Sequence, residues 1–93
     1  MVVVGDFAGN ISVLETHAHN ITPKPFKKAN VGMPIRALVW CHNTDLIVIG
    51  CVGGSLFAWN IHDPEPIFLD QANATINTLK YAHGKVFIGN SNG

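Results

Sequence analysis

Five histidines, two cysteines and six carboxylates are the side chains through which this 93-residue chain could do acid–base, nucleophilic or metal chemistry. Their spacing offers little of it. His17 and His19 stand two apart, so on a strand they share a face and could chelate a transition metal, but the sequence nearby supplies no third ligand. Cys41 and Cys51 lack the paired spacing of a metal site. Placed at opposite ends of a hairpin arm that rises about 3.3 Å per residue, they would lie too far apart for a disulfide, and both are expected to be free thiols. Asp63 and Glu65 flank Pro64, where a general acid/base pair would need an enclosed pocket that nothing in the sequence suggests. Gly50, Gly53 and Gly54 invite comparison with a phosphate-binding loop, yet a strand follows them rather than a helix whose N-terminus would hold the anion. His42 and His83 each fall two residues after an aromatic, which is a turn position. No catalytic residue, metal ligand or cofactor site is expected, and the chain is not read as an enzyme.

Charge gives one further candidate. Lys24, Lys27 and Lys28 surround Phe26, and basic residues beside an aromatic can contact RNA; the competing reading is a solvated edge strand. Six basic against six acidic residues leave a formal net charge of zero, so the chain has no general attraction to nucleic acid or to an anionic membrane. No apolar run approaches the roughly 20 residues of a membrane helix. Asn10, Asn20 and Asn73 each begin an Asn-x-Ser/Thr triplet, which without a secretory leader reads as chance. The expected setting is soluble and intracellular, cytoplasmic rather than nuclear.

The elements that must carry these residues are strands. In residues 35–61, Ile35, Leu38 and Trp40 mark a first extended run, and His42 to Thr44 form a polar turn. A continuous aliphatic run, Leu46 to Ile49, then stops at Gly50. Gly53 and Gly54 supply the positive φ that a tight hairpin needs, and Leu56, Phe57, Ala58 and Trp59 run back. Unbroken apolar runs, rather than alternating ones, require both faces of the sheet to be covered.

The same unit recurs. Gly5-x-x-x-Gly9 becomes Gly50-x-x-x-Gly54 and Gly89-x-x-x-Gly93, at intervals of 45 and 39 residues, and Ile35-x-x-Leu38-x-Trp40 becomes Ile76-x-x-Leu79-x-Tyr81. A period near 40 is the mark of a repeat architecture. The connectors around Pro23 and Pro25, and around Pro64 and Pro66, can each add a fourth, edge strand, where proline and charge discourage edge-to-edge pairing. A four-stranded antiparallel unit on this period, buried on both faces, fits a propeller blade.

Residues 35–60 resemble a repeat of the WD-repeat β-propeller family, with Ile35, Leu38, Trp40, Leu46, Gly50, Gly54, Leu56, Trp59 and Asn60 in register with its pattern. The resemblance implies an all-β fold, a partial β-propeller with 1–34 as a partial blade, 35–75 as a complete one and 76–93 as the start of a third. Such a count cannot close a ring of four to eight blades, so the chain is expected to be a piece of a larger propeller, the alternative being a ring of several copies. The chain departs from the family where Gly53, Ala8 and Asn92 replace the turn aspartate and Asn60 replaces the closing one. No Gly-His pair precedes Ile35 or Ile76. The family's buried Asp–His network is therefore not carried over, and packing around Trp40 and Trp59 is expected instead. Propellers of this kind bind proteins or peptides through loops at the two ends of their blades, usually within multiprotein complexes. The resemblance thus implies partner contacts at Asp6, Phe7, His42, Asn43, Asp45 and Val52, with RNA contact through Lys24, Phe26, Lys27 and Lys28 as the alternative.

Overall fold

A computed structural model describes residues 2–14, 16–17, 20–21, 27–41 and 44–90. They form antiparallel strands only, and no helix among them is long and apolar enough to cross a membrane. The valines of β1 (Val2–Gly5) and the alternating residues of β2 (Asn10–Leu14) pair through the hairpin whose turn ends at Gly9. Two short strands, β3 (Thr16–His17) and β4 (Asn20–Ile21), pair with each other, and β5 (Lys27–Asn30) then joins the far side of β2.

The central sheet is a four-stranded meander of β6 (Ile35–Trp40), β7 (Leu46–Cys51), β8 (Ser55–Asn60) and β9 (Ile67–Gln71). A third sheet pairs β10 (Ile76–Ala82) with β11 (Lys85–Asn90) through the two-residue turn His83–Gly84. Both turn residues have positive φ, 54° and 74°, the backbone of a primed hairpin turn, whose twist matches that of the strands it joins.

The three sheets stack on a repeated contact. Gly5 at the end of β1 lies under Ile35 and Leu38 of β6: a Cβ there would come 2.8 Å from Leu38 Cδ1 and 3.0 Å from Ile35 Cγ2. Gly50 in β7 lies in the same way under Ile76 and Leu79 of β10, where a Cβ would come 2.5 Å from Ile76 Cγ2. Glycine lets the strands approach because any side chain would fill the space that the facing isoleucine takes. Residues three apart on a regular strand face opposite ways, yet Ile35 and Leu38 both face Gly5. The register shows why: it slips between Ile35 and Ala37 and again between Ile76 and Thr78, so a β-bulge at Arg36 and at Asn77 turns the aliphatic pair onto one face.

The core follows from this stacking. Ile47, Ile49, Cys51 and Trp59 of the central sheet pack with Ile11 and Val13 of β2 and with Ile35 and Ile61. Trp59 is fully buried and donates from Nε1 to the Asp63 carbonyl at 3.1 Å, so its one polar atom is satisfied. Trp40 packs against this cluster half-buried. Coverage on both faces is realised for β7, where residues 47–51 are all buried. It fails for β9, whose five residues are all exposed, because β10 lies across β6 and β7 and leaves the outer half of the central sheet open among the described residues.

Candidate functional site

One end of the stacked sheets is a continuous rim made from two hairpin turns and two connectors. At residues 6–9, Asp6 Oδ1 accepts from the N–H groups of Ala8 at 2.9 Å and Asn10 at 3.0 Å, and Oδ2 from Asn10 Nδ2 at 3.3 Å. A short carboxylate reaching the backbone two residues on is what fixes such a turn. The Asn10 N–H does most to hold the Asp6 carboxyl below the usual carboxylate range. It acts against a desolvation penalty, with help from the Asn10 side chain and the N–H groups of Ala8 and Gly9. With its backbone fixed, Phe7 projects from the tip, 69% exposed.

The connector at residues 31–34 locks onto this turn. Gly9, at φ 86°, lies so close to it that a Cβ would be 2.8 Å from the Met33 carbonyl oxygen. The Val31 N–H donates to the Gly9 carbonyl at 3.0 Å. Asn30 clamps the junction, donating from Nδ2 to the Ala8 carbonyl and to Asn10 Oδ1 and accepting from the Gly32 N–H. Met33, 39% exposed, stands beside Phe7's turn. The rim continues through Ile35 N–H to the Asp6 carbonyl and Val52 N–H to the Pro34 carbonyl, at 3.1 and 3.0 Å. Val52, 40% exposed, is the tip of the second hairpin turn.

The second turn repeats the device. Gly54, at φ 94°, faces the connector at residues 72–75, where a Cβ would meet the Ala72 and Ala74 carbonyl oxygens at 2.5 and 2.8 Å. Thr75 Oγ1 accepts from the Gly53 N–H, and Gln71 donates from Nε2 to the Gly53 carbonyl while its Oε1 accepts from Ser55. Across residues 6–9, 31–34, 51–54 and 72–75 the charged side chains reduce to Asp6, whose carboxylate is turned onto its own backbone. The rim is thus rigid, almost uncharged, and studded with Phe7, Met33 and Val52.

The other expected contact residues are elsewhere. Asp45 precedes β7 and Val52 follows it, so Asp45 belongs to the opposite end. There its Oδ2 lies 2.7 Å from His62 Nε2 and its carbonyl accepts from the Ile61 N–H at 3.0 Å. Both side chains are exposed. His42 and Asn43 lie outside the described residues. The structure therefore brings Asp6, Phe7 and Val52 together and separates Asp45 from them. It adds Met33, which sequence reasoning missed because Gly32-Met33-Pro34 carries no apolar period; its position opposite Gly9 was the hidden signal.

The basic cluster is divided. Lys27 is half-buried with Nζ 5.9 Å from the centre of the Trp59 ring, whereas Lys28, its strand neighbour, is exposed on the opposite face. Lys24 and Phe26 lie outside the described residues, as does His19, and of His17 only the backbone is described. Cys41 and Cys51 are free and buried, and burial pushes both thiols up. Among the described residues there is no pocket and no group of three metal-ligating side chains.

No family model and no curated protein matches the chain. Among solved structures, the crystal structure of the computationally designed Ika4 protein is similar, with a TM-score of 0.72 and 18% identity over 98% of this chain. At that identity the likeness shows the fold alone. The chain spans about half the length of that protein, 54% of it.

Proposed function

We propose that the chain is a non-catalytic protein-interaction platform, a WD-repeat-like segment of a β-propeller whose blades are the three stacked sheets. It binds proteins or peptides within a larger intracellular assembly. The observation that carries this reading is the rim: two successive turns, each locked by a positive-φ glycine against a connector, present Phe7, Met33 and Val52 on a nearly uncharged surface. An aromatic side chain held by a rigid turn loses little entropy on binding and suits an interface anchor. Rigid strands that fix geometry beneath turns that supply contacts are the general logic of such surfaces. The same lack of charge favours an apolar protein partner over a phosphate backbone, which draws its affinity from lysine and arginine.

The test is affinity capture with wild type, a rim variant (Phe7→Asp with Val52→Asp) and a far-end variant (Asp45→Lys), with folding checked by circular dichroism. The reading expects partners retained by wild type and by Asp45→Lys to fall at least tenfold with the rim variant. Partners that persist on a folded rim variant and vanish with Asp45→Lys would move the site to the opposite end.

A further inference from the structure

Met33, Cys41 and Cys51 are the described residues that carry sulfur, and they are unequally open to solvent. Cys41 and Cys51 are 2% and 0% exposed, and burial pushes both thiols up, so neither offers a thiolate to an oxidant. A thioether needs no ionisation to react, and Met33 is 39% exposed. It keeps that exposure with the turns on either side of it, residues 6–9 and 51–54, both in place. Among the described residues, Met33 is the sulfur that a small oxidant in solution meets first.

The backbone around Met33 is pinned on both sides. Its N and its carbonyl oxygen lie against Gly9, where a Cβ would come 2.9 and 2.8 Å from them. Before it, the Val31 N–H donates to the Gly9 carbonyl. After it, the Pro34 carbonyl accepts from the Val52 N–H, and the Ile35 N–H donates to the Asp6 carbonyl. The connector thus keeps the Met33 side chain at the rim, between the turns that carry Phe7 and Val52. That side chain is not part of the buried cluster of Ile11, Val13, Ile47, Ile49 and Trp59, so a change in its polarity alters the surface and leaves the packing beneath it intact.

We propose that Met33 is an oxidation site that regulates the rim: a peroxide converts its thioether to the sulfoxide, and the rim then releases its apolar partner. The sulfur lone pair attacks one peroxide oxygen, the S–O bond forms and the O–O bond breaks. Sulfur loses two electrons, and the peroxide takes them up and leaves as water once the departing hydroxide has gained the proton of the transferred oxygen. The product exchanges a flexible apolar side chain for a polar one that accepts hydrogen bonds. Burying that oxygen against an apolar partner costs its hydration without a replacement bond, because the rim around it is nearly uncharged and the Asp6 carboxylate is itself an acceptor, turned onto its own backbone. The release rests on the rim being the binding surface, whereas the selective oxidation of Met33 does not.

The experiment treats the folded chain with dilute hydrogen peroxide and follows each sulfur by peptide mass spectrometry. Met33 should gain one oxygen while Cys41 and Cys51 stay unmodified, with the circular dichroism unchanged. Oxidation of either cysteine ahead of Met33, or loss of the fold on oxidation, would overturn the site. Reduced and oxidised chain are then used to capture proteins from one cell lysate. Capture should fall about tenfold or more on oxidation and return after treatment with methionine sulfoxide reductases. Met33→Leu, whatever its own level of capture, should show the same level before and after peroxide, which also controls for oxidation of Met1. Capture by the rim variant, Phe7→Asp with Val52→Asp, separates the two claims. If it keeps the same proteins, the rim reading fails and the release falls with it. If it loses them while the oxidised chain keeps them, the release alone is overturned.

Discussion

Replacing Gly50 by alanine tests the contact on which the sheets stack. The new Cβ would stand 2.5 Å from Ile76 Cγ2, 2.9 Å from Ile76 Cβ and 3.4 Å from Leu79 Cδ1. Carbon atoms attract best at about 3.5–4.0 Å, so the strands must part by roughly 1 Å. Rotating Ile76 cannot relieve the strain, because its Cβ is fixed to the backbone and its branched side chain is stiff at χ1. Overpacking of this kind costs about 1–3 kcal/mol, offset by about 0.4–1 kcal/mol from the reduced freedom of the unfolded chain. A net loss of about 1–2 kcal/mol corresponds to roughly 4–16 °C in Tm for a domain of this size. Gly5→Ala should cost less, because its nearest contact, 2.8 Å away, is the flexible tip of Leu38. Ile76→Ala alone, at a fully buried position, should cost about 2–5 kcal/mol. Combined with Gly50→Ala it should cost about 1 kcal/mol less than the sum, since the new methyl enters the space vacated by the isoleucine. Urea unfolding followed by tryptophan fluorescence measures all four variants. A neutral Gly50→Ala, a more damaging Gly5→Ala, or strict additivity of the double variant would refute the stacking contact.

Two further outcomes follow from the titrating groups. The folded-state pKa of Asp6 lies below its unfolded value, so its contribution is present above the ordinary carboxylate range and is lost as pH falls through the folded value. Asp6→Asn should therefore flatten the acid limb of a Tm-against-pH curve, and an unchanged limb would contradict the turn geometry. For Cys41 and Cys51 the sign is reversed: burial raises the folded pKa, the unfolded thiols ionise first, and stability should fall as pH rises from the ordinary thiol range upward. Both thiols should label with iodoacetamide only at the rate of unfolding, and rapid labelling of either under native conditions would show that it is not buried.

Much of the strand layout was legible because composition and period agree. The run Leu46 to Ile49 reads as a strand covered on both faces, which residues 47–49 are, and the paired glycines at 53 and 54 read as the turn that they form at positive φ. What could not be read was the purpose of the spacing in Ile35-x-x-Leu38, which breaks the period of a strand. It makes sense only once a bulge at Arg36 turns both side chains toward Gly5, a residue thirty positions earlier. The exposure of Ile67, Phe68 and Leu69 was hidden for a related reason. An apolar run looks the same whether or not a neighbouring sheet reaches it. At the rim, Phe7 and Val52 could be placed from the turn signals beside them, whereas Met33 owes its place to a backbone contact with Gly9 that no local pattern encodes.

The central claim, that the rim is the partner-binding surface, is tested most directly by hydrogen exchange on the chain alone and in complex with a partner captured by it. Exchange at residues 6–9, 31–34 and 51–54 should slow on binding, with the turn around Asp45 unchanged. Protection confined to the Asp45–His62 end, with the rim exchanging as freely as in the unbound chain, would contradict it.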